Sequence, residues 1–316
     1  MREPWQVLVE GVRRGDHRAL ARLITYVENR ERDWRAVMKT LYPHTGRARI
    51  VGITGPPGAG KSSLTSRIAA ALIANGHRVG VIAVDPTSPF SGGALLGDRL
   101  RMRDIATTAG VFIRSMATRG TLGGLCQGAR DVARILEAAG HDIILLETVG
   151  VGQDEIEVVK AADLVVVVCV PGLGDGVQVL KAGIMEIADL FVVNKADREG
   201  AAELVADIRA MLALGGGRGQ ASPPLVETCA LTGKGVDALV SAISAAAIRS
   251  EPGNARAEGR VREEILTLIE RELARVVRER CAGDGRLDLA VQRVCGGADD
   301  PYSAAESMLD QFQTVR

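Results

Sequence analysis

Residues 50–63, IVGITGPPGAGKSS, join an apolar run to a helix-forming run through a glycine-rich loop. Gly55, Gly60, Lys61 and Ser62 fit the pattern G-x-x-x-x-G-K-[ST] within this stretch. Glycines let the backbone amides of such a loop turn inward onto phosphate oxygens, and the positive end of the following helix adds to the attraction. The lysine of the pattern reaches the β- and γ-phosphates, and its serine hydroxyl ligates Mg²⁺. The stretch therefore predicts a nucleoside triphosphate site. Its predicted phosphate-binding residues are Gly55, Pro56, Pro57, Gly58, Ala59, Gly60, Lys61, Ser62 and Ser63.

Short apolar runs recur along the chain and alternate with segments of helix length. The runs are RIVGITG, RVGVIAVD, VFIRSM, DIILLETVG, DLVVVVCVP, DLFVVNKAD and PLVETCA. Strands that are apolar throughout are buried on both faces, which is typical of a parallel sheet covered by helices. Segments between them, such as 62–75 and 129–139, are rich in Ala and Leu. The alternation predicts an α/β fold with a doubly wound, mostly parallel sheet of about seven strands.

The chain divides into three predicted regions. Residues 1–45 have apolar positions at helical spacing and are predicted to form an N-terminal helical extension. Residues 46–250 hold the apolar runs and form the predicted P-loop domain, with a flexible Gly- and Pro-rich loop at 215–224. Residues 251–316 form a predicted C-terminal helical arm, which begins with a linker at 250–259. Its apolar positions recur every three or four residues, so one long amphipathic helix either packs back on its own domain or forms a homodimer or partner surface.

The amino-acid composition indicates which kinds of binding partner and which cellular compartment to expect. With 39 basic and 39 acidic residues the formal net charge is zero, which points to neither nucleic acid nor an anionic membrane. Aromatic residues make up 3% of the chain and leave few platforms for stacking bases. The five cysteines are widely spaced without a C-x-x-C pattern, which indicates reduced thiols in a cytoplasmic protein. The chain lacks a long apolar stretch and a signal-peptide core, so we expect it to be soluble and not secreted.

A second motif, NKAD at residues 194–197, follows an apolar run. The carboxylate of Asp197 can accept hydrogen bonds from both N1–H and the exocyclic amino group of guanine, whereas adenine presents the opposite pattern. Asn194 and the stem of Lys195 are expected to shape the slot. Because the carboxyl ends of parallel strands share one edge of a sheet, the motif should lie beside the phosphate loop and favour GTP over ATP. A second base-contacting loop is predicted at Cys229, Ala230 and Leu231, where serine is common in GTPases at the cysteine position.

An acid ends the apolar run at residues 143–147, IILLE. Nucleotide hydrolases often carry Asp here in the pattern D-x-x-G, whereas this chain has Glu147 followed by Gly150. The run ends on the same predicted edge as the phosphate loop, so the carboxylate of Glu147 should face the γ-phosphate and Mg²⁺. The amide of Gly150 should then contact that phosphate. The alternative for Glu147 is a surface acid that caps a turn.

These motifs together resemble the Glu-bearing branch of the dimer-forming P-loop GTPases, which are relatives of the signal-recognition GTPases. Longer segments are similar to the family that attends adenosylcobalamin-dependent acyl-CoA mutases, the methylmalonyl-CoA mutase-associated GTPases. These segments are VIAVDPTSPFSGGALLGDRLRM, RGTLGG, ETVGVGQDE and PGLGDGVQVLKAGIMEIADLFVVNKAD. The similarity extends into the C-terminal segment DPYSAAESML.

The resemblance implies a magnesium-dependent GTPase that binds GTP and GDP and acts as a chaperone of its mutase. Such a protein gates cofactor loading and the removal of damaged cobalamin without binding cobalamin itself. By position, the resemblance implies that Asp85 and Asp98 join Ser62 and Glu147 at the metal site. It also implies that Lys181, in a further switch, has a catalytic or signalling role. From the residues alone, Asp98 fits a solvated loop acid and Lys181 an ordinary lysine on a helix surface.

The predicted reaction is in-line attack of water on the γ-phosphate of Mg²⁺-GTP, with charge neutralised by Lys61 and the metal. Gln153 is a candidate for positioning the water because it lies near Glu147 in sequence. Two alternatives stay open. One is a kinase that phosphorylates a transport protein, although the sequence offers no identifiable acceptor-binding base. The other is a nickel metallochaperone GTPase, which needs clustered soft or imidazole ligands. The histidines are scattered in the sequence, at His17, His44, His77 and His141.

Overall fold

The computed structural model describes residues 3–85, 102, 105, 108–117, 124–148, 161–172, 188–215, 222–248, 255–283 and 285–313. The chain forms two compact units, residues 1–252 and residues 253–316. The division into three regions predicted above stays a prediction. Four of the predicted site residues, Asp98, Gly150, Gln153 and Lys181, lie outside the described residues.

The described helices and strands are numbered in chain order. Helices of the first unit are α1 (Pro4–Arg13), α2 (His17–Glu28), α3 (Trp34–Leu41), α4 (Lys61–Ala74), α5 (Gly124–Ala138), α6 (Ala201–Gly215) and α7 (Val236–Ile248), with a 3₁₀ turn at Tyr42–His44. Its strands are β1 (Arg49–Thr54), β2 (Val79–Asp85), β3 (Val111–Ala117), β4 (Ile143–Glu147), β5 (Leu164–Cys169), β6 (Leu190–Asn194) and β7 (Leu225–Thr228). Helices of the second unit are α8 (Ala255–Gly283), α9 (Arg286–Cys295) and α10 (Pro301–Gln313). None of the described helices is long and apolar enough to cross a membrane.

The seven strands form one sheet in the order β3-β2-β4-β1-β5-β6-β7. Every neighbouring pair is parallel, which confirms the predicted doubly wound sheet. Strand β1 lies between β4 and β5, and Ile53 pairs with both Glu147 and Val166. The sheet extends from β1 toward β3 on one side and toward β7 on the other. The loop after β1 therefore opens at the place in such a sheet where ligands bind.

Both faces of the central strands are buried, as the continuous apolar runs predicted. Every residue of β5 is buried, and its alternate side chains enter different parts of the core. On one face, α4 and α7 pack against side chains that include Ile53 and Val166. On the other face, α1, α2, α3 and α5 pack against β2 and β4 through Ile82 and Leu146. Helix α6 covers β5 and β6 on that second face through Phe191.

Polar contacts also join the N-terminal helices to the rest of the first unit. The guanidinium of Arg30 lies 2.9 Å from Asp131 of α5 and 3.8 Å from the ring centroid of Trp34. In β3, Arg114 pairs with Glu28 of α2. Together with the shared apolar core, these contacts fix the three N-terminal helices on the sheet.

His141 predicts a pH-dependent stability for the first unit. It is 3% exposed, its Nδ1 lies 2.9 Å from the carbonyl oxygen of Leu136, and its ring meets Phe112 edge-on. Burial is the largest effect and lowers the pKa of His141 from the ordinary value of 6.5, the hydrogen bond to Leu136 opposes it, and the nearby charges of Arg78 and His17 lower the pKa further. Below pH 6.5 the unfolded chain therefore binds more protons than the folded one, and the free energy of unfolding decreases as the pH falls.

The expected decrease from this histidine is at most about 1.4 kcal/mol per pH unit. Urea unfolding at pH 7 and pH 5 measures it. His141→Gln keeps a donor for Leu136 and removes the titration, so this variant should lose less stability between the two pH values than the native chain. Equal losses in the two proteins would show that His141 does not titrate differently on folding.

The second unit begins with α8, a helix of 29 residues. The long amphipathic helix predicted after the linker is present. The prediction of a linker at 250–259 was wrong for residues 255–259, which are helical. Ala, Arg and Glu are good helix formers, and they outweigh the single glycine there. Ile265, Ile269 and Leu273 of α8 are 52%, 49% and 60% exposed.

Candidate functional site

The loop between β1 and α4 approaches two neighbouring strands so closely that two of its positions require glycine. Gly55 has a φ of +143°, and a Cβ atom there would lie 2.2 Å from the carbonyl oxygen of Val168 in β5. Gly60 has a φ of +83°, and a Cβ atom there would lie 2.6 Å from the amide nitrogen of the Asn194 side chain. The loop is thereby held at the carboxyl ends of β5 and β6.

Lys61 begins α4, and its side chain turns back toward the start of the loop. The residue is 6% exposed, and its Nζ donates to the carbonyl oxygens of Gly55 at 2.6 Å and Pro56 at 3.1 Å. The ammonium group thus lies within the curve of the loop. A positive charge at this position can neutralise phosphate oxygens that bind to the loop amides.

Ser62 and Glu147 meet beside this lysine although they lie on different elements. The hydroxyl of Ser62 donates to Oε1 of Glu147 at 2.6 Å, and the residues are 7% and 3% exposed. Glu147 is the last residue of β4, and its neighbour Thr148 donates its backbone N–H to the carbonyl oxygen of Ile53 at 3.1 Å. A hydroxyl and a carboxylate are hard oxygen donors of the kind that Mg²⁺ prefers. The pair therefore suits a magnesium ion at the phosphate loop.

Asn194 connects three segments of the site. The residue is 1% exposed, and its Nδ2 donates to the carbonyl oxygen of Ala59 at 2.8 Å. Its Oδ1 accepts from the hydroxyl of Thr228 at 3.2 Å and from the backbone N–H of Ala230 at 3.1 Å. Asn194 thus joins the phosphate loop to the segment after β7, which holds these two segments together rather than only shaping a slot.

Lys195 and Asp197 follow at the same edge of the sheet. Lys195 has a φ of +58°, and its Nζ donates to the carbonyl oxygen of Gly58 at 2.7 Å. Asp197 is exposed, and a hydrogen bond from the side chain of Cys229 is the main cause that lowers the pKa of this carboxyl. A carboxylate that stays ionised is an acceptor, as guanine recognition requires. The cysteine at the usual serine position thus contacts the acid of the NKAD motif.

Other predicted site residues vary in exposure. Leu231 is 79% exposed, and Pro57, Gly58 and Ser63 are exposed as well. Asp85 ends β2, where its backbone pairs with Ala117, while its side chain lies outside the described residues. Within the described ranges, no group of three or more His, Cys, Asp or Glu side chains could hold a metal ion.

Sequence reasoning missed several polar side chains that support the site. Thr148 Oγ1 donates to Oγ1 of Thr54 at 3.1 Å, which joins the ends of β4 and β1. Thr228 supports Asn194, and Arg67 of α4 contacts the loop after β7. Single threonines and arginines have no diagnostic spacing. Only the folded arrangement shows their contacts.

Comparisons with known proteins agree with these observations. The model of the family described as Methylmalonyl Co-A mutase-associated GTPase MeaB matches residues 20–282. A protein of Pyrococcus horikoshii named as a GTPase is 49% identical over 316 residues, which cover 98% of this chain and 99% of that protein. The mitochondrial methylmalonic aciduria type A homolog of Mus musculus is 40% identical over 207 residues, which cover 60% of this chain and 49% of that protein. The crystal structure of an LAO/AO transport system kinase is similar to the structure of this chain, with a TM-score of 0.72 and 25% sequence identity. The match covers 99% of this chain and 100% of the kinase chain.

Proposed function

Because the chain belongs to the family of methylmalonyl Co-A mutase-associated GTPases and therefore hydrolyses GTP, we propose that it is a chaperone of an adenosylcobalamin-dependent acyl-CoA mutase. The family match over residues 20–282 carries this proposal. A relative named for methylmalonic aciduria supports a mutase-related role. In the proposed cycle the nucleotide state controls cofactor loading and the removal of damaged cobalamin. The cobalamin stays with the mutase.

The buried part of the site supports a mechanism for the hydrolysis. We propose that the Lys61 ammonium binds the β- and γ-phosphate oxygens, beside its present carbonyl partners Gly55 and Pro56. Ser62 and Glu147 would hold Mg²⁺, which supplies charge neutralisation and orients phosphate oxygens when it is bound. The loop amides fix the phosphates in line for attack by water.

The resemblance to the family extends the proposed site beyond these side chains. By position, Asp85 and Asp98 would complete the oxygen ligands of the metal site. The amide of Gly150 would contact the γ-phosphate. Lys181 would pass the nucleotide state to the mutase. Glu147 is buried at the end of β4. We propose that the loop after it transmits the loss of the γ-phosphate to the surface that contacts the mutase.

If the Ser62 hydroxyl binds Mg²⁺, its removal should change the Mg²⁺ requirement of GTP hydrolysis. Ser62→Ala removes one proposed ligand and the hydrogen bond to Glu147, so the Mg²⁺ concentration for half-maximal GTPase activity should rise by about tenfold or more. A Mg²⁺ titration of the hydrolysis rate measures it. Ser66→Ala is a matched control, because Ser66 lies one turn later on the same helix and is not among the proposed site residues. Equal Mg²⁺ requirements in both variants would argue against Ser62 as a ligand.

The chaperone role is tested by adding purified acyl-CoA mutases of the methylmalonyl, isobutyryl and ethylmalonyl types to the GTPase. We expect one mutase to copurify with the chain and to raise kcat for GTP hydrolysis several-fold, since a partner can order switch segments. The same mutase should keep its activity longer when the chain and GTP are present, and Lys61→Ala should remove this protection. If no mutase of this class binds or stimulates the chain, the chaperone role is wrong.

A second candidate function is a kinase for a transport protein. The name of the similar crystal structure, an LAO/AO transport system kinase, favours this candidate. A kinase would transfer the γ-phosphate of labelled GTP to a protein acceptor, whereas a hydrolase releases free phosphate. Accumulation of labelled transport protein at the rate of GTP consumption would select the kinase.

We also propose that α8 forms a homodimer surface. Ile265, Ile269 and Leu273 recur at intervals of four residues and are each about half exposed or more. Exposure of this apolar row to water is unfavourable, and a second copy of the chain would bury it. The measured molar mass in solution should therefore be twice that of the 33.3 kDa chain and should fall toward one chain in Ile265→Glu/Ile269→Glu. A native protein that has the mass of one chain would contradict the proposal.

A further inference from the structure

Arg67 of α4 holds the loop that follows β7. Its Nε donates to the carbonyl oxygen of Ala230 at 3.1 Å, and its Nη2 donates to the carbonyl oxygen of Leu231 at 3.0 Å. Two neighbouring donors of one guanidinium thus engage two consecutive carbonyl groups. The planar fork of arginine matches this arrangement, whereas the single ammonium of lysine cannot reproduce it.

Ala230 is restrained from two sides. Its backbone N–H donates to Asn194, and its carbonyl oxygen accepts from Arg67. The rest of the loop is closed by backbone bonds, from Cys229 N–H to the Lys234 oxygen and from Gly233 N–H to the Cys229 oxygen, each at 2.9 Å. The loop is therefore a small, stiff unit, and its hydrogen bonds with Arg67 fix its position relative to α4.

The position of this loop affects the acid proposed to bind guanine. Cys229 begins the loop, and its side chain makes the hydrogen bond that lowers the pKa of Asp197. A displacement of the loop would move this donor away from the carboxylate. Arg67 lies on the same helix that begins with Lys61, so the contact also connects the base side of the site to the phosphate side.

We propose that Arg67 is a positioning residue for guanine recognition, which acts by holding the Ala230–Leu231 segment against α4. This proposal rests on the guanine site assigned to Asp197. Among the described residues, the hydrogen bonds of the Arg67 side chain go to Ala230 and Leu231 and not to the phosphate loop. Arg67 therefore acts on the binding of the nucleotide and not on the chemical step.

Arg67→Met, which keeps much of the stem and removes both donors, tests the proposal by steady-state GTP hydrolysis. We expect KM for GTP and Kd for GDP to rise about tenfold, while kcat stays within about twofold of the native value. The affinity for inorganic tripolyphosphate, which uses the phosphate loop and has no base, should not change. Arg209→Met is the matched control, since Arg209 is an exposed arginine on α6 of the same unit.

Arg67→Lys provides a second variant in case the methionine variant folds poorly. It keeps the charge and should show a smaller rise in KM than Arg67→Met, with an unchanged melting temperature. A KM within twofold of native in both variants, or an equal loss of tripolyphosphate and GDP affinity, would overturn the proposal. If Asp197→Asn changes the base preference while the Arg67 variants keep the native KM for GTP, only the role of Arg67 fails. If Asp197→Asn also has no effect, the guanine site itself is wrong.

Discussion

Replacing Lys61 with alanine is expected to lower kcat for GTP hydrolysis by about 100- to 1,000-fold, the usual cost of removing one donor to developing charge at an active site. Lys61 is 6% exposed, and its ammonium donates to the carbonyl oxygens of Gly55 and Pro56 within the phosphate loop. In a site with little water its charge stabilises the transferring phosphoryl group more than it would at the surface. Single-turnover release of phosphate from labelled GTP measures the chemical step directly.

Two controls separate this catalytic effect from a loss of folding. Lys61→Met keeps most of the volume of the side chain and removes the charge together with its hydrogen bonds to Gly55 and Pro56, so it should lose a similar factor in kcat with a smaller change in melting temperature than the alanine variant. Lys39→Ala removes an exposed lysine of α3 and should keep the native rate. If GTP turnover in Lys61→Met equals that of the native chain, the assignment of the phosphate site fails.

Replacing Asp197 with asparagine is expected to weaken GTP binding by on the order of 100-fold or more and to create a preference for xanthosine triphosphate. In the proposed site the carboxylate accepts from N1–H and from the amino group of guanine, and asparagine would present a donor at one of these positions. Xanthine carries an oxygen in place of the amino group and matches the new donor. The hydrogen bond from the Cys229 side chain lowers the pKa of Asp197, which favours the ionised acceptor form of the native residue.

Competition between GTP and xanthosine triphosphate for hydrolysis measures this exchange of base preference. Asp207→Asn, a change of the same type at an exposed position of α6, serves as the control and should keep the native preference. An unchanged affinity of Asp197→Asn for GTP would refute the assignment of the base site and would leave the assignment of the phosphate site unaffected. The two assignments can therefore fail independently.

Strands, sheet type and family were predictable because they depend on short-range patterns. The run Leu164–Cys169 is apolar throughout, and a strand with this pattern is stable only when both of its faces are covered. Gly55 and Gly60 follow from the backbone conformations that a phosphate loop demands. The linker predicted for residues 255–259 was wrong, since local composition there also suits a helix.

Roles that depend on distant contacts were only partly predictable. Asn194 was expected to shape a base slot, and the structure adds a contact role in which it ties the Ala59 carbonyl to the segment after β7. Cys229 was predicted to lie in a second base-contacting loop, and its side chain also hydrogen-bonds to Asp197. Arg67 has no motif of its own and gave no signal. Each of these side chains gains its role from a partner that the chain brings near only after folding.

The sequence by itself determined the parallel sheet, the phosphate loop and the mutase-associated GTPase family, because these depend on local periodicity, glycine conformation and motif spacing. The tertiary structure alone decided which side chains meet. Ser62 donates to Glu147 across 85 positions of the chain, and Asn194 donates to Ala59 across 135 positions. Such contacts follow from strand order, which places the ends of β1, β4, β5 and β6 together. Strand order is set by the packing of the whole sheet and is not encoded in any single segment.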